Sequence, residues 1–324
     1  MKLRQATDKE QLQVLLYYCY TPIKNVEVFR EQHHLFCIEL GLRGRIIVAT
    51  EGINGTVSGT KEACEAYMDF FKSDSRFAGI DFKVDTDTKH VFRKINVRIK
   101  PEIVHSGFAH INPNQKTGKH LSPSEFKKIK DEPNTVILDV RSNYEHRLGK
   151  FKNARTLDIE NFRDMPHHAE ELKKLKGKKV LTYCTGGIKC EKASAYLLEL
   201  GIEDVYQLHG GIIKYGIEAG GEDFEGRCYV FDDRIAVDVN SVNPTTVSVC
   251  YHCQEPCERM INCANPSCNE HIALCETCAE QLAGACSELC AQAPDLRVYD
   301  GTGHYKRMSN GYNPLVGWKK TEQR

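Results

Sequence analysis

The sequence predicts an α/β chain in three parts: a small N-terminal α+β sheet domain, a central domain on a mostly parallel sheet, and a C-terminal cysteine-rich segment that binds zinc. Three observations carry this prediction. The chain has 324 residues, more than one hydrophobic core usually spans. Strand-like and helix-like stretches alternate up to about Gly221. Beyond Asp232-Asp233 both signals fade, and nine of the 15 cysteines fall between Cys250 and Cys290.

Within residues 1–100 an apolar run at 14–20 reads as a strand and the pattern over 26–40 as a helix. Strands follow at 45–49 and just after Asn54-Gly55, then a helix over 61–71, and strands near Phe82 and over 92–99. This order suggests a βαββαβ sheet of the ferredoxin or acylphosphatase type. In the last strand Ile95, Val97 and Ile99 share one face, while Lys94, Asn96, Arg98 and Lys100 share the other. Such a one-sided cationic row is either an ordinary solvated face or a contact for a nucleic-acid backbone.

Residues 101–119 lack periodicity, hold Pro113 and Gly118, and read as a linker or an extended entry strand. Ser122-Pro123-Ser124-Glu125 then supplies a capping serine, a proline at the first helical position and a glutamate at the third, which starts a helix and a new domain over 120–225. Strands are expected at 136–140, 180–183 and 205–208, with helices at 169–176 and 191–200, the second closed by Gly201. The result is a mostly parallel sheet with helices on both faces. The remainder, 226–324, is the cysteine-rich region and a basic, aromatic tail.

Charge and hydropathy narrow the partners. Lys plus Arg and Asp plus Glu both number 44, so the formal net charge is zero; this argues against a wholly basic nucleic-acid coat, and a charged partner must meet a local patch. No window approaches the ~18 apolar residues of a membrane span. The first twelve residues carry no secretory pattern, so a cytoplasmic location without membrane contact is expected. Oligomeric state is not legible.

The chemically suggestive segment runs from Tyr183 through Cys184, Thr185, Gly186, Gly187, Ile188 and Lys189 to Cys190, between a buried strand and a helix. In an open α/β sheet ligands bind at that position. The glycines let successive N–H groups turn inward, and the following helix adds the positive end of its dipole. Such a loop cradles an anion. A thiolate at Cys184 would feel those donors and the charge of Lys189, which lowers its pKa and makes it a nucleophile. Cys190 reads as a resolving thiol, a packing residue or a redox partner. Asp139 and Arg141 support the loop or simply form a structural ion pair, the commoner outcome for such a pair.

Asp139-Val140-Arg141 with Tyr144, Glu145 and His146, the run 149–154, the Cys184 loop and His209-Gly210-Gly211 together resemble the rhodanese domain, whose loop cysteine carries a persulfide. The string from Tyr183 to Ser194, the upstream Glu51-Gly52-Ile53-Asn54-Gly55 and the nine-cysteine tail are similar to the bacterial oxygen-dependent tRNA uridine-34 hydroxylases, over nearly the whole chain and in the same domain order. That resemblance implies hydroxylation of the wobble uridine of tRNA at C5, giving 5-hydroxyuridine, with molecular oxygen as co-substrate and contact with the anticodon region. It also places Cys184 at the family's active cysteine and Cys190 at the second loop cysteine. Lys189 departs from the arginine expected there, keeping the charge but losing the planar fork. No nucleotide-cofactor fingerprint is evident.

In the tail, the pairs Cys250/Cys253 and Cys275/Cys278 suit one four-cysteine zinc site, and Cys263/Cys268 with Cys286/Cys290 a second, interleaved with the first. Cys257 and His271 are left over, and either can be exchanged in. Four thiolates leave no open position for water, so the zinc is expected to be structural; an iron–sulfur centre is the alternative. Beyond Cys290, Tyr299, Tyr305, Tyr312 and Trp318 stand among Arg297, Lys306, Arg307, Lys319, Lys320 and Arg324, suited to RNA or to a solvated terminus. Lys116, Lys119, Lys127, Lys128 and Lys130 form another basic cluster, a candidate to lie near the thiol loop. Three functions therefore compete: the tRNA hydroxylase, a sulfurtransferase carrying a persulfide on Cys184, and a non-enzymatic zinc and RNA adaptor.

Overall fold

The structure is a computed structural model that describes residues 11–108, 110–303 and 305. Tyr312, Trp318, Lys306, Arg307, Lys319, Lys320 and Arg324 lie outside the described residues.

The first domain consists of β1 (Leu12–Tyr20), α1 (Val26–Glu39), β2 (Arg43–Ala49), β3 (Gly52–Gly59), α2 (Lys61–Ser73), β4 (Lys83–Asp87) and β5 (Ile95–Ile99). Its sheet order is β4-β1-β3-β2-β5. The first four strands are antiparallel neighbours, which is the expected βαββαβ arrangement, and β5 adds to the edge parallel to β2. Alternation along the strands separates two faces. Leu15, Tyr17, Ile46, Val48, Val57 and Val97 pack under the helices with Cys37, Tyr67 and Phe71. The other face carries Leu16, Tyr18, Asn54, Thr56, Arg45 and Ile47 and is turned to the second domain, with Leu16 over the thiol loop. Two expectations need correction. The strand expected just after Asn54-Gly55 starts earlier, at Gly52, and holds both residues inside β3; a Cβ at Gly55 would meet the Tyr17 hydroxyl at 2.4 Å, so only glycine admits that ring. Phe92 precedes the last strand, since it folds back to pack with Val14 and Val91.

The second domain is built from β6 (Lys119–Leu121), α3 (Pro123–Ile129), β7 (Thr135–Asp139), α4 (Asn143–Leu148), β8 (Gly149–Phe151), β9 (Arg155–Thr156), α5 (Ala169–Lys173), β10 (Lys179–Tyr183), α6 (Ile188–Glu199), β11 (Val205–Leu208) and α7 (Gly211–Ala219). Ser122 and Glu125 cap α3 reciprocally: the serine oxygen accepts the Glu125 N–H at 3.3 Å and the carboxylate accepts the Ser122 N–H at 2.8 Å. The sheet β6-β11-β10-β7-β9 is parallel throughout. Leu138 and Val180 face α6, while Ile137 and Leu181 face α3 and α7, so both surfaces are covered and the strands read as continuous apolar runs.

Residues 101–119 are packed rather than a free linker. Phe108 stacks against Tyr196 of α6 at 4.5 Å, and Ile103 and Ile111 are buried. Lys192 of α6, fully buried, binds Glu51 at 2.9 Å and Glu102 at 2.7 Å, fastening the first domain to the helix that follows the thiol loop. A buried pair of this kind is costly to break and fixes geometry.

The C-terminal segment has β12 (Phe224–Gly226), β13 (Cys228–Tyr229), β14 (Ala236–Val237), β15 (Met260–Asn262), β16 (His271–Ala273), α8 (Glu276–Gln281) and α9 (Glu288–Ala291). Between Cys250 and Cys290 the interior is shared between cysteines and a small set of aliphatic side chains, Ile261, Ile272 and Leu274 the largest of them. His271 lies edge-on to Tyr144 of α4 and Tyr229 of β13, with centroids 5.8 and 5.5 Å apart, and so joins this segment to the second domain.

Candidate active site

Tyr183 ends β10 as a buried residue, and the chain leaves the carboxyl edge of the sheet at Cys184. Gly187 takes φ +100°, a left-handed conformation that reverses the backbone into α6. Gly211 does a different job. A Cβ there would come within 2.4 Å of the Cys184 carbonyl oxygen, so glycine lets α7 press against the loop, where the N–H groups of Ile212 and Ile213 bind the Cys184 and Thr185 carbonyls at 3.0 and 3.1 Å.

The Cys184 sulfur accepts the Gly187 N–H at 3.2 Å, and the N–H groups of Lys189 and Cys190 also point to it. Burial pushes this thiol up, but the Cys190 thiol, the Lys189 charge and those N–H groups outweigh it, bringing the pKa down to about 7. Burial pushes the Cys190 thiol up, and the neighbouring Cys184 reinforces that. Lys189 is held by Glu145 of α4, whose carboxylate is fully buried and also accepts the Ser142 N–H at 3.0 Å. Iodoacetamide alkylation of Cys184 should therefore titrate with a midpoint near pH 7, below the ~8.5 of a free thiol. The rate falls about tenfold per pH unit below that midpoint, because only the thiolate reacts. Lys189→Met should move the midpoint upward and Lys189→Arg should not; an unmoved midpoint in the methionine variant removes the lysine from the cradle.

Above the sulfur lies a cavity of about 340 Å³, within the range of small-ligand sites. Cys184, Gly186 and Lys189 stand on one wall and Leu16, Tyr18 and Arg45 of the first domain on the opposite one, with Tyr144, Phe162 and Phe231 among the side chains between them. The contact is close: a Cβ on Gly186 would approach Leu16 to 2.9 Å.

Residues 12–103 match the UPF0176 acylphosphatase like domain, residues 122–218 the rhodanese-like domain and residues 225–291 the rhodanase C-terminal family. A protein of Cytophaga hutchinsonii named tRNA uridine(34) hydroxylase is 61% identical over 95% of this chain and 99% of its own length. One of Bacillus mycoides with the same name is 51% identical over 88% of this chain and 90% of its own. The chain belongs to the tRNA uridine(34) hydroxylase family.

The other expected residues lie as follows. Asp139 and Arg141 form a buried pair, the guanidinium binding Asp139 at 2.9 and 2.7 Å and the Gly149 carbonyl at 2.7 Å, with the Tyr183 hydroxyl on the same carboxylate at 2.5 Å. They brace the strand ends beneath the loop and do not line the cavity. Thr185 turns away from the sulfur, its hydroxyl on the Tyr229 carbonyl. Lys94, Arg98 and Lys100 are exposed. Because Arg45 pairs in register with Asn96 and Ile47 with Arg98, this row continues the cavity-lining face of the sheet onto its β5 edge. The Lys127–Lys130 cluster is answered by acids instead: Lys127 pairs with Glu222, and Lys130 with Asp131 and Asp223.

The cysteines Cys250, Cys253, Cys275 and Cys278 gather in one group and Cys263, Cys268, Cys286 and Cys290 in another, each with its sulfurs within 4.8 Å of one another. Contacts of 3.8 Å for Cys253–Cys275 and 3.7 Å for Cys268–Cys286 are too long for disulfides. They equal the ~3.8 Å edge of a tetrahedron with metal–sulfur bonds of ~2.3 Å. Backbone N–H groups of Cys275 and Cys286 point at the sulfurs of Cys250 and Cys263, as thiolate ligands require. Both groups fit a metal ion. Cys257 packs in the segment's core, and His271 binds Asn262 at 2.7 Å.

Sequence reasoning missed the opposing wall and the Glu145 partner of Lys189. The alternation of Leu16 and Tyr18 marks an exposed sheet face, but not what covers it.

Proposed function

We propose that this chain hydroxylates C5 of the wobble uridine of tRNA, giving 5-hydroxyuridine, with molecular oxygen as the oxygen source and Cys184 as nucleophile. The observation that carries the reading is the cavity that joins a low-pKa thiol to a sheet face edged with cations. C6 of uracil is electrophilic through conjugation with the C4 carbonyl. Addition of the Cys184 thiolate there turns C5 into an enolate carbon that takes up dioxygen as a hydroperoxide; loss of the C5 proton expels the thiolate and restores the ring, and the freed thiolate takes the outer peroxide oxygen as sulfenate, so that the O–O bond breaks and a hydroxyl remains on C5. Lys189 stands beside the sulfur to hold the charge developing on the uracil oxygen. Tyr18, Tyr144, Phe162 and Phe231 offer faces for a base turned out of the single-stranded anticodon loop.

The two four-cysteine groups hold one zinc each, in a structural role, since four thiolates close the coordination shell. No helix among the described residues is long and apolar enough to cross a membrane, and a tRNA substrate puts the work in the cytoplasm. The test is reconstitution of the purified chain with wobble-unmodified tRNA under ¹⁸O₂. Nucleoside mass spectrometry should find 5-hydroxyuridine carrying the label; unlabelled product, or none, overturns the reading.

The tRNA backbone runs along Lys94, Arg98 and Lys100. Lys94→Glu with Arg98→Glu should weaken binding and make the slope of log K against log salt shallower by about 2. An identical binding curve returns that face to solvent.

A further inference from the structure

We propose that Cys190 is the second reacting thiol: the Cys184–Cys190 pair supplies the two electrons that oxygen-dependent hydroxylation needs, and each turnover ends with a disulfide between them. This inference rests on the hydroxylase reading above and adds the electron source to it.

The stoichiometry sets the requirement. Dioxygen accepts four electrons in becoming one hydroxyl oxygen and one water. Replacing C5–H by C5–OH provides two, so two more must come from elsewhere. Cys190 opens the first turn of α6, where its N–H binds the Gly187 carbonyl at 3.0 Å, while the Gly187 N–H binds the Cys184 sulfur at 3.2 Å. One tight turn thus folds the two cysteines into one buried cluster, near enough for each thiol to shift the ionisation of the other. Cys190 has no exposure, so solvent reagents do not reach its sulfur directly. The protonation states are complementary: the cradle favours thiolate at Cys184, whereas burial keeps Cys190 a thiol.

The steps balance. Uridine, dioxygen and the Cys184 thiol give 5-hydroxyuridine and Cys184 sulfenic acid: one oxygen atom forms the C5–O bond, the other the S–O bond, and the C5 and thiol hydrogens become the two hydroxyl hydrogens. The Cys190 sulfur then attacks the Cys184 sulfur, the S–O bond breaks, and the hydroxyl leaves as water with the Cys190 proton. A soluble dithiol restores both thiols by exchange. Cys228, also buried, donates its thiol to the Tyr229 carbonyl at 3.7 Å.

The experiment uses the full chain, reduced and desalted, with wobble-unmodified tRNA in air-saturated buffer without added reductant. About one equivalent of 5-hydroxyuridine should form per chain, accompanied by a Cys184–Cys190 disulfide. Trypsin cuts after Lys189, so the two cysteines leave on separate peptides unless the disulfide joins them. Cys190→Ser should end its turnover with a Cys184 sulfenic acid that dimedone traps. Product with both wild-type thiols still free overturns the inference and leaves the hydroxylase reading standing. A disulfide that forms equally without tRNA is plain air oxidation and overturns it as well. No product even with excess dithiothreitol overturns the hydroxylase reading and the inference with it.

Discussion

Cys184→Ala abolishes formation of 5-hydroxyuridine, a loss expected to be on the order of 10⁴-fold or more in rate, because the group that forms the covalent adduct is gone and nothing else in the cavity replaces it. The fold should survive. The side chain is small and buried, the loop is held by N–H groups of α7 acting on the Cys184 and Thr185 carbonyls, and neither contact involves the sulfur. Melting temperature should stay within a few degrees of wild type, and tRNA affinity within about twofold, since the cationic row lies on the first domain. The measurement is nucleoside mass spectrometry on tRNA from deletion cells complemented with each variant. Wild-type levels of modification from the alanine variant, above an empty-vector control, would refute the role of the thiol.

Removing the metal should unfold the Cys250–Cys290 segment and impair the thiol site with it. Cysteines make up half of the buried interior of that segment, and its few large aliphatic side chains are too little apolar surface to hold the chain at this length. Metal binding contributes about 10–16 kcal/mol per structural zinc site in comparable small modules, so folding and ligation are one event. Elemental analysis should find two zinc ions per chain, one per four-cysteine group. A strong zinc chelator, used without thiol-directed reagents that would also block Cys184, should release both and open the segment to protease. The effect reaches the active site by a short path. His271 packs on Tyr144, Tyr144 adjoins Glu145 on α4, and Glu145 holds Lys189 at the cavity wall. Full activity after complete removal, with the segment still folded, would count against a structural role; a coloured protein containing iron would mean a cluster instead of zinc.

Much of this was legible because the governing forces are local. Alternation in β1, the reciprocal cap at Ser122 and Glu125, and the glycines after Cys184 each act within a few residues, and each is visible in a short window of sequence. The cysteine groups were legible for another reason: two CxxC pairs and two close pairs leave few tetrahedral partitions. Errors came where a local signal met a tertiary demand. Asn54-Gly55 looks like the point before a strand begins, but both residues lie inside β3, where the glycine serves the close approach of Tyr17 across the sheet.

The sequence by itself determined the three-part α/β order, the cysteine in its glycine loop and the run of closely paired cysteines, since short-range sterics, capping and ligand spacing depend only on neighbours. Only the tertiary structure decided that Leu16 and Tyr18 close the cavity over Cys184, that Glu145 holds Lys189, that the Lys94–Lys100 row extends the same sheet face, and that Lys192 locks the two domains through Glu51 and Glu102. Those contacts join residues far apart in the chain, and their partners are chosen by which faces remain unburied once each domain has folded.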